Sequence, residues 1–231
     1  MEFTFSPLSE KALVIETGSA INPKTELAVR KLTALLESQT PDWVIEFIPA
    51  FTTVTVFYDP LRLNQEQAEQ ELRRLISALD EVEANAPRII DIPVCYGGAF
   101  GPDLAFVAEH NGLTEEQVIE IHTSGTYRVH MIGFAPGFPF IGGMSEKIAA
   151  PRRKSPRLRI PERTVGIAGM QTGVYPIETP GGWQLIGRTP LRLFLPEQDI
   201  PSLLRAGDEI RFTKISEAEY REQEAAPHFV Y

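Results

Sequence analysis

Residues 133–143 read GFAPGFPFIGG, a run in which three Phe interleave with four Gly and two Pro. Proline removes a backbone donor and fixes φ, while glycine opens positive φ. Neither a regular helix nor a regular strand accommodates such a run. It predicts a rigid loop with two readings. Its main-chain N–H groups and aromatic faces either bind an anion and line a pocket, or turn a barrel corner with the Phe side chains in the core.

Working outward, residues 97–187 hold fifteen of the seventeen glycines, whereas residues 1–96 hold only Gly18. The shift marks two regions with different backbone demands. The later one predicts a strand at 89–96, a Gly-rich loop at 97–101 and a helix with Pro102 at its first position, ending at Asn111-Gly112. Thr114 and Gln117 form a capping box that opens a short helix to about residue 121. Short β-like runs then follow at 127–132, 164–168, 183–186, 191–195 and 209–213, separated by Gly and Pro, which indicates a barrel or a sandwich. Residues 216–231 read as a helical or loose tail.

The earlier region alternates strands and helices. A strand at 12–16 precedes Asn22-Pro23, an N-cap followed by Pro at N1, and a leucine stripe at 27, 32, 35 and 36. Strands at 43–48 and 53–58 come next, the second alternating Thr with Val, and then a helix capped by Asn64 and Gln67. With the strand beginning at 89 the order is β-α-β-β-α-β, the ferredoxin-like pattern, although that strand can equally open the next domain. The polar stretch 81–87 is the natural boundary. The expected architecture is therefore α+β: a small α/β domain over 1–86 and a β-rich domain over 87–231.

The formal net charge is −9, which disfavours nucleic acid or an anionic membrane as partner. A single cysteine, Cys95, points to a reducing compartment, and its apolar run suits a packed thiol. The start MEFTFSPLSEK is not a signal peptide, and no run reaches the length of a membrane span. No phosphate-binding Walker loop, His-Glu-x-x-His, cysteine pair or nucleophile elbow is present, so no metal site is expected.

Against this acidic background residues 151–163, PRRKSPRLRIPER, carry a local charge of +5, leaving −14 on the rest. Such a strip suits a phosphate, a carboxylate or an acidic partner surface, or is simply a solvated charge run. A third segment, GMQTGVYP (169–176) followed by TPGGWQLIGRTP (179–190), places Gln171, Thr172, Gln184, Arg188 and Thr189 between glycines. These donors suit an amide and a carboxylate, or satisfy their own turns. His122, at the end of its predicted helix, is either an acid–base group or a cation on the helix dipole.

Together CYGGAFGPDL (95–104), IHTSGTYRV (121–129), GFAPGFPFIGGM (133–144), SPRLRIP (155–161), VGIAGMQTGVYPIETPGGWQLIGRTPL (165–191) and LLRAGDEIRF (203–212) resemble the KipI/PxpB family, also called allophanate hydrolase subunit 1. The resemblance implies a ferredoxin-like N-terminal domain and a cyclophilin-like β-barrel. It also implies a cytoplasmic B-subunit role in an ATP-dependent 5-oxoprolinase that opens 5-oxo-L-proline to L-glutamate with the C and A subunits, the ATP site being shared with the C subunit. Binding and inhibition of a sporulation sensor histidine kinase is the alternative that the family offers. By motif position it nominates His122, Arg157 and Arg188 for catalysis and Tyr96, Phe138, Gln171 and Thr172 for substrate binding. Arg157, Arg159 or Arg188 would neutralise phosphate charge there, and the Gly-rich loops would supply main-chain donors.

Overall fold

The structure is a computed structural model that describes residues 3–79, 82–84 and 86–225. It divides into two compact units, residues 1–87 and 88–231. Parts of the expected boundary (81 and 85), Glu2 and the end of the tail with His228 lie outside the described residues.

The first unit contains β1 (Thr4–Ser9), β2 (Ala12–Glu16), α1 (Pro23–Ser38), β3 (Val44–Pro49), β4 (Thr53–Tyr58) and α2 (Gln65–Ile76). Its sheet has the order β1-β2-β4-β3 with antiparallel neighbours. Asn22 caps α1 by accepting from Lys24 N and Thr25 N, with Pro23 behind it, and Asn64 and Gln67 form the capping box of α2. Val54, Val56 and Tyr58 of β4 turn inward onto Leu13, Ile15, Leu32, Leu35 and Leu72. The order β2-α1-β3 with β4 between is the split βαβ half of the expected pattern. The fourth strand, however, is β1 rather than the strand beginning at 89, which belongs to the second unit.

The second unit follows with β5 (Ile89–Tyr96), α3 (Leu104–Asn111), α4 (Glu115–Ser124), β6 (Tyr127–Ile132) and β7 (Pro139–Gly142). After a 3-10 turn at Glu146–Ile148 come β8 (Arg157–Ile160), β9 (Thr164–Ala168), β10 (Gln171–Val174), β11 (Thr179–Gly181), β12 (Gln184–Arg188), β13 (Glu209–Lys214) and α5 (Glu217–Ala225). Seven strands close into a barrel in the order β10-β7-β6-β13-β5-β12-β9, and β8 and β11 form a separate two-stranded ribbon. Only β5 and β13 run parallel; the other described barrel pairs are antiparallel. Ile92, Val94, Val129, Ile141, Val165, Ile167, Ile186 and Ile210 fill the interior.

Three local expectations change. The second half of the GFAPGFPFIGG run is strand β7, whose Ile141 reaches the core. Residues 191–195 form no strand and make only a Phe194–Ser202 bridge. Pro102 lies outside α3, one residue before the N-cap Asp103, whose carboxylate makes no capping bond.

Candidate functional site

The three segments singled out in the sequence meet around one cavity of about 270 Å³. Phe134, Phe138 and Phe140 come from the Phe/Pro run, Arg152 and Pro156 from the basic strip, and Tyr175, Pro180, Gly181, Gly182 and Trp183 from the third segment. Phe138 is 2% exposed and sits at the centre of an edge-to-face cluster. Its ring lies 5.4 Å from Phe134, 5.3 Å from Phe140, 5.4 Å from Tyr175 and 5.7 Å from Trp183.

Glycine makes this packing possible. A Cβ on Gly173 would lie 3.0 Å from Trp183 Cζ3 and 3.3 Å from Phe138 Cζ, so the bare backbone lets both rings settle on β10. Phe134 adopts φ 68°, a left-handed conformation that an aromatic residue rarely takes, and holds its 69%-exposed ring at the rim. The Tyr175 hydroxyl is pushed up to about 12 by burial, against a main-chain hydrogen bond from Trp183 and the charges of Arg152 and Arg157. It therefore stays protonated at neutral pH. Among the described residues its proton has no acceptor.

Gly181 keeps the space beside that hydroxyl open: a Cβ there would lie 2.5 Å from Tyr175 Oη and 2.7 Å from Ile160 Cδ1. Gly181→Ala is expected to push the Tyr175 ring into the cavity and to cost about 1–3 kcal/mol of stability, the usual range for overpacking. Urea unfolding of the second unit checks this, and an unchanged midpoint would contradict it.

The basic strip is less free than its sequence implies. Asp103, 6% exposed, accepts from Arg157 Nη2 at 2.7 Å, from Arg153 Nη1 at 3.3 Å and from Leu185 N at 2.7 Å. Arg159 pairs with Glu178, and Arg163 with Glu224. Gln184 donates to Pro151 O at 2.8 Å and ties the start of the strip to β12. Arg152 lines the cavity and has no carboxylate within ion-pair distance among the described residues.

The residues nominated from the sequence separate into different places. Phe138 lines the cavity. Tyr96, His122 and Thr172 come together elsewhere, in a chain of hydrogen bonds that runs from half-buried Tyr96 to fully buried His122 and Thr172. Tyr96 Oη lies 2.7 Å from His122 Nδ1, His122 Nε2 lies 3.0 Å from Thr172 Oγ1, and Thr172 donates to Gly166 O at 3.1 Å. His122 is fully buried, with its ring 4.4 Å from Phe212. Burial lowers it to about 3 and raises Tyr96 well above the usual phenol range.

His122, nominated for catalysis, is therefore a buried neutral imidazole that lines no part of the cavity. Arg157, also nominated for catalysis, anchors the strip on Asp103 and does not line the cavity. Arg188, the third residue nominated for catalysis, lies apart from the cavity. It donates from Nε to Glu162 O at 3.0 Å and ends β12, on the order of 15 Å along the strand from Trp183. Gln171 is half-buried on the face of β10 opposite Thr172 and lines no part of the cavity. Cys95 is buried and its thiol is raised by burial, consistent with a packed group. No group of His, Cys, Asp or Glu among the described residues could hold a metal.

Arg152, Tyr175 and Trp183 were absent from the nominated set. Their signal was the +5 strip and the GGW turn, but several arginines there look alike until their partners are known.

The carboxyltransferase domain family, subdomain C and D, matches residues 3–204. The B subunit of 5-oxoprolinase from Bacillus subtilis (strain 168) is 50% identical over 231 residues, covering 95% of this chain and 96% of that relative. A conserved uncharacterized protein from Pyrococcus horikoshii superposes with a TM-score of 0.57 at 43% identity, over 94% of this chain and 100% of that one. TTHA0988 superposes with a TM-score of 0.76 at 33% identity, over 90% of this chain and 40% of that longer one.

Proposed function

The chain belongs to the carboxyltransferase subdomain C and D family, and on that premise we propose that it is the B subunit of an ATP-dependent 5-oxoprolinase. The observation that carries this reading is half-identity along nearly the whole length of both this chain and the Bacillus subtilis B subunit. Ring opening of 5-oxo-L-proline breaks the lactam C–N bond. Water supplies hydroxyl to the acyl carbon and a proton to nitrogen, giving L-glutamate. Amide resonance makes that carbon a poor electrophile, so activation of the lactam oxygen is the difficult step, and positioning is what a protein can contribute to it.

The aromatic cavity does not fit a whole nucleotide. The cavity of about 270 Å³ falls below the roughly 300–1,000 Å³ of drug-sized sites, and its one unpaired guanidinium is too little for a triphosphate. ATP is accordingly assigned to a site shared with the C subunit, and the final hydrolysis to the A subunit. A relative whose chain devotes 40% of its length to this chain's counterpart is consistent with a partner held close. In this reading the barrel is cyclophilin-like without being a prolyl isomerase, since activity resides in the site and not in the fold. The protein works in the cytoplasm, where ATP is held.

The purified chain alone is expected to give no glutamate from 5-oxoproline and ATP, and the chain with its C and A subunits to turn over steadily. Absence of turnover from the complete set would refute the reading.

A further inference from the structure

We propose that the aromatic cavity in the second unit seats a small cyclic lactam acid, with its ring against Phe138 and Trp183 and its carboxylate on Arg152. This rests on the B-subunit reading for the identity of the acid. The seat itself is argued from the cavity.

Size comes first. A space of about 270 Å³ with Phe, Tyr, Trp and Pro walls suits a compact apolar body and excludes a nucleotide or a long peptide. The ring faces offer the methylene groups of a five-membered ring a dry surface. Gly181 and Gly182 bring main chain to the wall where side chains would otherwise fill it.

Charge comes second. Arg153, Arg157 and Arg159 are committed to Asp103 and Glu178. Arg152 is the guanidinium that lines the cavity without an acid partner among the described residues, and it presents the planar fork that a carboxylate matches bidentately.

The third point is the hydroxyl of Tyr175. It is protonated, 2% exposed, and has no described acceptor for its proton. It is therefore placed to donate to a lactam oxygen, which a carboxylate-only ligand would not require. Phe134, strained at φ 68° and exposed at the rim, is a ring that an occupant can draw inward.

The test uses calorimetric titration of the full chain, so that binding is read without turnover. The ligands are 5-oxo-L-proline and 2-pyrrolidinone, which has the same lactam ring without the carboxylate. Saturable binding of 5-oxo-L-proline is expected, at least tenfold tighter than 2-pyrrolidinone. Arg152→Gln should weaken the acid at least tenfold while leaving 2-pyrrolidinone unchanged, and Arg152→Lys should restore part of the loss. Arg152 is exposed, so both variants should fold, and circular dichroism confirms that they have.

In the assembled enzyme Arg152→Gln should raise KM about tenfold. No saturable binding, or equal binding by wild type and Arg152→Gln, overturns the proposal even if the assembled enzyme turns over. Arg152-dependent binding in an assembly that does not turn over leaves the seat standing and removes the 5-oxoprolinase reading.

Discussion

Asp103→Ala is expected to lower the stability of the barrel unit by about 3–5 kcal/mol, the range for removing one partner of a buried ion pair. Asp103 is 6% exposed and takes three donors at once: two guanidinium groups of the basic strip and the amide of Leu185. Its own main-chain N–H donates to Leu185 O at 2.9 Å, so the start of α3 and the start of β12 grip each other reciprocally. Arg157 already has Nη1 buried without a partner. Once Asp103 is gone, its charge would remain largely out of water with no compensating anion. Arg153 is more exposed, and Arg153→Ala should cost no more than about 1 kcal/mol.

The consequence reaches the cavity because the strip that Asp103 anchors carries Arg152 and Pro156. Loss of the anchor should weaken lactam-acid binding as well as stability. Urea unfolding followed through Trp183 in a Trp43→Phe background reads the second unit. A loss below about 1 kcal/mol would show that the strip is held by something other than Asp103.

What the sequence disclosed and what it concealed follow from the range of the interactions involved. The caps at Asn22, Asn64 and Thr114 involve partners two or three residues away and were legible. So was β4, whose Thr/Val alternation matches a sheet with one buried face. β1 was not legible, because Pro7 and the 61%-exposed Leu8 leave that edge strand without an in–out pattern. Once β1 fills the edge beside β2, the strand beginning at 89 is free to pair with β12 and β13 in the barrel.

The site shows the same division. Convergence of the Phe/Pro run, the basic strip and the GGW turn was visible as three unusual segments, since glycine, proline and charge density are local properties. Which arginine stays unpaired depends on Asp103, fifty residues from Arg153, and no local pattern encodes that distance. Nor does a helix-end histidine disclose whether it faces water. On α4, His122 turns inward onto Phe212 and Tyr127 instead.

Acid should destabilise the barrel unit through His122, by about 2 kcal/mol between pH 7 and pH 5, over and above the contribution of carboxylates. Thr172 has one O–H, and Gly166 O can only accept it. Thr172 Oγ1 must then accept from His122 Nε2–H, which leaves Nδ1 as the acceptor for the Tyr96 O–H. The tautomer is thus assigned by the hydrogen-bond chain, and each donor in it points the same way. A proton added to Nδ1 would face the Tyr96 hydroxyl with two donors and place a charge beside Phe212 with no anion near. Burial accordingly depresses the folded titration to about 3 from the ordinary 6.5.

The sign follows from proton uptake. Below pH 6.5 the unfolded chain binds a proton that the folded chain refuses, so the stability present above 6.5 is lost as pH falls towards 3, at up to about 1.4 kcal/mol per pH unit. His122→Gln removes the titration. Its stability should fall less than wild type's between pH 7 and pH 5, and parallel curves would mean that His122 is not the group responsible. Thr172→Val, nearly isosteric, should cost about 1–3 kcal/mol at neutral pH by leaving the buried Nε2–H without an acceptor. Because the chain of hydrogen bonds lies apart from the cavity, neither variant should change the affinity for a lactam acid. A shift in that affinity would join the two places that the structure keeps separate.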